Sequence, residues 1–411
     1  MARPKYVLGA LGAAAAGFLI AGMFAKPTLT NAMPTFAQAY GVSCSTCHVQ
    51  VPLLNAYGRY VQRTGYASLD RAVLTRALPL WVGEQVNYDS SQQPGSGIAK
   101  YSFANLALHG AGYIAPDVTF HLHQWIVQDE NSGGLDTFWV TYNKLFNRDG
   151  HIFIGKILNP APAPYSQDFE IDGATASGTQ VGEHNWGATY DNRWGARFAY
   201  ARRALDVEAG YYLSGEDLNG LTDFGVRYDP TTGPPTLTAG DKTLQWKVAY
   251  ARPDIPVEFG VFGSKGVLPV STGSDQYSSI AGYVQIDPSR YGRPGLFAVY
   301  QAGHDGNPGS PTADGLTPFG ATSSRGLSLA LFEHILHNGA TVGIRHDLND
   351  DGLGTVSNGN SFNLAFNIPH YNYAHVFLEA NTGSSSALAG GSFGPTWKGQ
   401  FWLDVPIAPL H

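Results

Sequence analysis

The sequence predicts an all-β fold: a transmembrane barrel of about 16 antiparallel strands, entered by a small α-helical N-terminal segment that plugs the lumen. Three observations carry this. From about Pro79 onward the 411-residue chain shows roughly 17 short segments of alternating character, separated by Gly, Pro, Asn, Asp and Ser, with no long amphipathic helix. Its 50 Gly, 22 Tyr, 21 Phe and 8 Trp, beside only 14% charged residues, suit a wall with aromatic girdles and few lipid-facing charges. Short joints also contrast with long loops, as expected of tight turns at one rim and extended loops at the other.

The elements follow in chain order. Arg3 and Lys5 precede an uncharged, Ala- and Gly-rich run from Tyr6 to Ala25, which reads as an export signal over 1–32, cleaved after Ala25 or Ala32. An uncleaved anchor is the competing reading, but the run is only weakly apolar. The chain is therefore expected outside the cytoplasm.

Both cysteines of the chain fall in one stretch, Cys44-Ser45-Thr46-Cys47-His48. Zinc would need further ligands of the usual Cys or His pattern, and no other Cys exists. A redox pair of this spacing normally belongs to a βαβ unit, which the flanking residues do not suggest. Two thiols three apart, followed at once by an imidazole, match covalent attachment of one haem c, with Cys44 and Cys47 forming thioethers and His48 ligating the iron. The plain alternative is an exposed disulfide or a free thiol pair. Around the motif, Pro34 opens a turn carrying Phe36, Ala37 and Tyr40 up to Gly41. Pro52 starts a second helix with Leu53, Leu54, Tyr57 and Val61 on one face and Gly65 at its stop. This haem segment, 33–75, is too small to bury a cofactor and a core of its own.

The barrel is expected over 76–411. Stretches such as "YSFANLALHGAGYI" (101–114), "DVTFHLHQWIVQ" (117–128), "LDTFWVTYNKL" (135–145), "KTLQWKVAYA" (242–251), "PVEFGVFGS" (256–264), "ATVGIRHDL" (340–348) and "YAHVFLEAN" (373–381) are about the 9–11 residues that a tilted membrane strand needs. In the first, Ala104, Leu106, Leu108 and Ile114 share one face; Asn105, His109 and Tyr113 share the other. Long loops are expected at 159–193, 229–241, 264–278, 303–324 and 347–360, against tight joints at 115–117 and 337–340. Because such barrels have even strand numbers, one candidate is an intruder, "HIFIGKI" (151–157) or a stretch within 185–203. The last strand is expected at 397–405. A tandem of soluble β-sandwiches is the competing fold.

The iron's sixth ligand stays open. Of three Met, Met1 and Met23 leave with the signal, so Met33 is the thioether candidate, and the inward-facing His109, His121 and His123 are the imidazole candidates. A lumen histidine is otherwise an ordinary polar wall residue. The acidic loop at 346–354 lacks the frame and terminal Glu of a calcium loop and reads as solvated.

"FAQAYGVSCSTCHVQVPLLNAYGRYVQRTGY" (36–66) resembles the cytochrome segment of the outer-membrane cytochrome-porin fusions of iron-oxidising bacteria, through Phe36-Ala37, Gly41, the C-x-x-C-H, Pro52, Leu54-Asn55, Gly58 and Gly65-Tyr66. Over the barrel the resemblance is one of architecture and length. It implies a single-haem cytochrome inside a porin-like barrel in the outer membrane, the haem segment on the periplasmic side or within the lumen. Such a protein passes electrons from extracellular Fe(II), or another donor, to a periplasmic cytochrome c, and so oxidises Fe(II).

A net charge of −7 without a basic cluster gives no support for nucleic-acid binding. Two other functions compete with the electron conduit. A passive diffusion porin would use the haem segment only as a plug and would conduct ions. A haem peroxidase would need a five-coordinate iron and a distal acid-base group.

Overall fold

The computed structural model describes residues 34–407 except 52, 76–78, 91–99, 129–130, 159, 161–192, 213–241, 271–272, 290–291, 307–320, 336–339, 351, 353, 355, 369–370 and 386–391. Sixteen long strands among the described residues close into one antiparallel barrel. In chain order they are β1 (Leu80–Asp89), β2 (Lys100–Ala115), β3 (Val118–Gln128), β4 (Leu135–Leu145), β5 (Gly150–Ile157), β6 (Arg193–Arg202), β7 (Leu205–Tyr212), β8 (Lys242–Ala251), β9 (Val257–Val270), β10 (Gly273–Ile286), β11 (Gly295–Asp305), β12 (Thr322–Ile335), β13 (Ala340–Asp350), β14 (Val356–Ile368), β15 (Tyr371–Ser385) and β16 (Ser392–Pro406). The last strand pairs with the first, from Lys398↔Asp89 to Pro406↔Trp81. Closure leaves no unpaired edge, which is what a sheet in hydrocarbon requires.

The alternation read from the sequence becomes an inside and an outside. On β8, Thr243, Gln245, Lys247 and Ala249 are buried, while Leu244 and Val248 are exposed. On β12, Ser328, Ala330 and Phe332 are buried between the exposed Leu329 and Leu331. Ile114, Ile154, Val261, Ile280, Ile344, Phe362 and Leu378 continue the outer apolar surface around the wall. In water so wide an apolar surface would drive association; in a bilayer it is the lipid-facing band.

Several expected boundaries change. "HIFIGKI" is no intruder: β5 pairs with β4 and with β6, and of the stretch within 185–203 the described part, Arg193–Arg202, also belongs to the wall. Besides the sixteen strands, the described residues hold a two-residue pairing, Asn131–Ser132, beside the end of β3. The loop expected at 264–278 is a hairpin, since β9 and β10 stay paired up to Val270↔Gly273; its small and polar residues imitate a loop, while Ser264 is buried on the inner face. The last strand starts earlier than 397. Its register shifts between Asn381 and Gly383 of β15, opposite Gly394 and Pro395, where a proline fits without breaking the ladder.

Among the described residues, three short helices stand ahead of the barrel: α1 (Pro34–Tyr40), α2 (Ala56–Arg63) and α3 (Arg71–Leu74). Gly41 and Gly65, at φ +62° and +55°, supply the left-handed residues that end the first two helices, as expected. The second helix begins at Ala56 rather than Pro52. The intervening Leu53–Leu54 is taken by a two-stranded ribbon with His48–Gln50, and Asn55 caps α2 by accepting from Gly58 N at 2.9 Å.

Candidate functional site

The C-x-x-C-H motif sits in a single 3₁₀ turn, Cys44–Thr46, closed by Cys47 N donating to Cys44 O at 3.1 Å. Asn55 holds that turn in place. Its side-chain amide donates to Ser45 O and Thr46 O, and its backbone N–H to Cys47 O at 2.9 Å. Gly58 makes the fit of α2 against the motif possible, because a Cβ there would lie 2.0 Å from the Cys47 carbonyl oxygen. The two thiols are not joined in a disulfide. Burial pushes Cys44 up to about 12 and Cys47 up to about 11, so both sulfurs stand neutral at neutral pH. Neutral sulfur in an apolar pocket lined by Ala37, Val42 and Val51 fits thioether formation better than a zinc thiolate or a reactive redox pair. The residues present therefore fit a covalently held haem, with His48 as the imidazole adjoining them.

The segment that carries the motif is bound to the barrel's inner wall. Arg59 Nε donates to Glu258 of β9 at 3.0 Å, and its Nη1 to Asp287, just past β10, at 2.9 Å. Burial alone would lower the Arg59 pKa; Asp287 and then Glu258 outweigh it and hold the guanidinium above its ordinary value. Asp287 also accepts from Ala56 N at 2.8 Å, at the first residue of α2. One turn later Arg63 donates to Ala251 O at 3.1 Å and lies 3.9 Å from Asp206 and 3.7 Å from Glu258. Asp206 and Glu208 are themselves paired with Lys247, and Glu208 with Arg197. Asp206, Glu258 and Asp287 flank the short joints β6–β7, β8–β9 and β10–β11, so the charges that hold the segment gather at the tight-turn rim.

Apolar contacts and hydroxyls complete the attachment. Phe36, Val61, Tyr66 and Leu74 share one buried cluster with Trp81, Trp139, Phe153 and Tyr212 of the wall. Val49 and Leu53 share another with Tyr283, Phe297 and Phe332. Thr119 donates to Gly65 O, and Tyr113 to Leu69 O at 3.0 Å.

Of the candidate sixth ligands, Met33 lies outside the described residues. His109, His121 and His123 face inward as expected, but each is engaged by neighbours on the wall or the segment. The His121 ring lies 4.0 Å from Trp139 and its Nδ1 is 2.7 Å from Tyr66 Oη. His123 Nδ1 is 2.8 Å from Asp136, and His109 stacks between Trp81 and His123 at 5.0 and 4.2 Å. Among the described residues, His375 on β15 is near enough to His48 for the charge of one to be felt at the other. Period-2 reading of "AHVFLEAN" could have found it, since His375, Glu379 and Asn381 share a face. Arg59 and Arg63 were legible as an i, i+4 pair on one helical face, though not their partners, up to 228 residues away.

No sequence-family model matches the chain, and no curated protein matches it. Among solved structures it is similar to an anion-selective porin from Comamonas acidovorans, with TM-score 0.53 and 11% identity, over 79% of this chain and 98% of that one. It is also similar to OmpF of Salmonella typhi in complex with daunomycin, with TM-score 0.50 and 11% identity, over 79% of this chain and 96% of that one. At such identities the likeness is one of fold: a porin-like outer-membrane barrel of sixteen antiparallel strands.

Proposed function

We propose that the chain is an outer-membrane electron conduit in which residues 34–75 form a haem-bearing plug at the periplasmic rim of a porin-like barrel. The observation that carries this is the placement of a C-x-x-C-H turn, with its two thiols unbridged and neutral, in a segment fastened to the inner wall by Arg59 and Arg63. Cys44 and Cys47 would hold one haem c, and His48 its iron. When bound, that group supplies a one-electron couple. The donor is extracellular Fe(II), which leaves as Fe(III), and the acceptor is a periplasmic cytochrome c.

The chain's own residues provide location and order. Tight turns face the periplasm in barrels of this kind, so attachment to Asp206, Ala251, Glu258 and Asp287 supports a motif at that rim, within reach of a periplasmic partner. An apolar band about 25 Å tall would separate a haem left outside the barrel from a donor at the cell surface. The lumen shortens that distance by admitting the donor from the loop side. Asn55 and Gly58 fix the motif turn against α2, which keeps the attachment geometry rigid.

A diffusion porin is the second reading, favoured by the likeness to an anion-selective porin. The two separate on one preparation. Purified protein should keep haem stain on a denaturing gel, and Fe²⁺ added from the loop side of liposomes should reduce it. Absence of covalent haem, together with steady open-pore conductance in a planar bilayer, would overturn the conduit in favour of the porin.

A further inference from the structure

We propose that His375, on the inner wall of β15, is the second axial ligand to the iron that His48 would hold. The inference rests on the haem-bearing plug proposed above and names a residue that the chain's N-terminal segment does not contain. From His375 on, β15 alternates strictly: His375, Phe377, Glu379 and Asn381 are buried, and Leu378 is exposed. His375 thus points inward, four residues from the tight-turn end of its strand, and only 2% of it is accessible. Its cross-strand partners are Asn367 on β14 and Trp402 on β16.

The N-terminal segment brackets that position from both sides. Residues His48–Gln50 touch β13 and β14, with Thr341 Oγ1 of β13 donating to Gln50 Oε1 at 3.4 Å. Helix α1 touches β16 and β1. β15 lies between β14 and β16 in the barrel, so the stretch from α1 to His48 passes over the face that presents His375. The electrostatics agree at both ends of the motif. Asp404, two residues along β16 from Trp402, is close enough for its charge to be felt at Cys44, and His48 is close enough for its charge to be felt at His375.

Imidazole nitrogen is a suitable ligand for haem iron, and a ligand from the wall does what one from the segment could not: it ties the cofactor to the barrel. Both axial positions would then be filled by the chain, which suits electron transfer and leaves no open site for a peroxide. His109, His121 and His123 hold their places on β2 and β3 through Trp81, Trp139, Tyr66 and Asp136.

The test uses the full-length protein purified in detergent, read by visible, near-infrared and electron paramagnetic resonance spectra. The parent should be six-coordinate and low-spin. His375→Ala should keep its haem stain and its unboiled gel mobility but become high-spin, and imidazole added to the buffer should restore the low-spin spectrum. His375→Met should gain the thioether-to-iron charge-transfer band. A low-spin spectrum unchanged in both variants would overturn the assignment, as would conversion to high-spin by Met33→Ala instead. A shift in midpoint potential without a change of spin state would also overturn it, making His375 a neighbour of the proximal imidazole. Failure of the haem reading itself is distinct: the parent would then carry no stain, whatever stands at 375.

Discussion

The wall and the N-terminal segment meet the same demand, satisfying backbone and charge away from water, by opposite means. Each of the sixteen strands pairs on both sides, so the wall satisfies its own ladder and needs nothing from the segment. The segment has helices of 7, 8 and 4 residues, far below the length at which a helix persists alone in water. It depends on wall carboxylates and aromatic faces. The barrel should therefore survive damage to the segment, while the segment should not survive damage to its anchor points.

The largest expected effect breaks that dependence directly. Arg59→Ala would leave Glu258 and Asp287 buried without their guanidinium, a loss of about 3–5 kcal/mol when one partner of a buried pair is removed. Residues 34–75 should become protease-sensitive while the unboiled barrel keeps its gel mobility. Equal protection in parent and variant would show that the apolar clusters alone hold the segment. The converse change strikes the wall. Ile344, mid-strand on β13 and 54% exposed on the outer face, should resist replacement: Ile344→Arg would cost about 2–4 kcal/mol if it lies near the bilayer midplane, read as a lower unfolding midpoint in lipid vesicles. A neutral result would place that face outside the hydrocarbon.

A third change sharpens the contrast at the motif itself. Gly58→Ala sets a methyl 2.0 Å from Cys47 O, so helix α2 must back away from the C-x-x-C-H turn, at about 1–3 kcal/mol for overpacking. Haem stain per barrel should fall. Gly41→Ala is the control, since a Cβ there meets nothing within 4 Å and only the positive φ opposes it. Equal staining in the two variants would deny that α2 supports the motif.

The wall was largely legible because period-2 alternation is a local signal, repeated in every strand. It failed where polarity served the inner face instead of a loop, as at 264–278, and where a short strand such as β5 offers few alternations to count. The motif was legible for a different reason: two thiols and an imidazole at fixed spacing are covalent chemistry, written in five adjacent residues. The attachment was not. Arg59 meets residues on β9 and beyond β10, and His48–Gln50 touch β14, which begins over 300 positions later; only closure of the barrel brings them together. For the same reason three inward histidines on β2 and β3 drew attention in the sequence, while His375 passed as one strand residue among many.

The smallest expected effect concerns the one direct bond between those conspicuous histidines and the segment. Tyr66 Oη and His121 Nδ1 are 2.7 Å apart, the phenol is buried, and burial holds its pKa above the ordinary value, so the protonated hydroxyl and the ring share one hydrogen bond whose direction follows the His121 tautomer. Tyr66→Phe removes the hydroxyl but keeps the ring against Phe36, 5.2 Å away, and should cost the segment about 0.5–1.5 kcal/mol. His121→Ala should cost more, because it also removes the face stacked on Trp139. If the bond is the link between segment and wall, the double variant should be less destabilised than the sum of the two singles, by about the value of the bond. Strict additivity in protease protection of residues 34–75 would show that Tyr66 is held by packing alone, and that the segment's polar attachment lies entirely with Arg59 and Arg63.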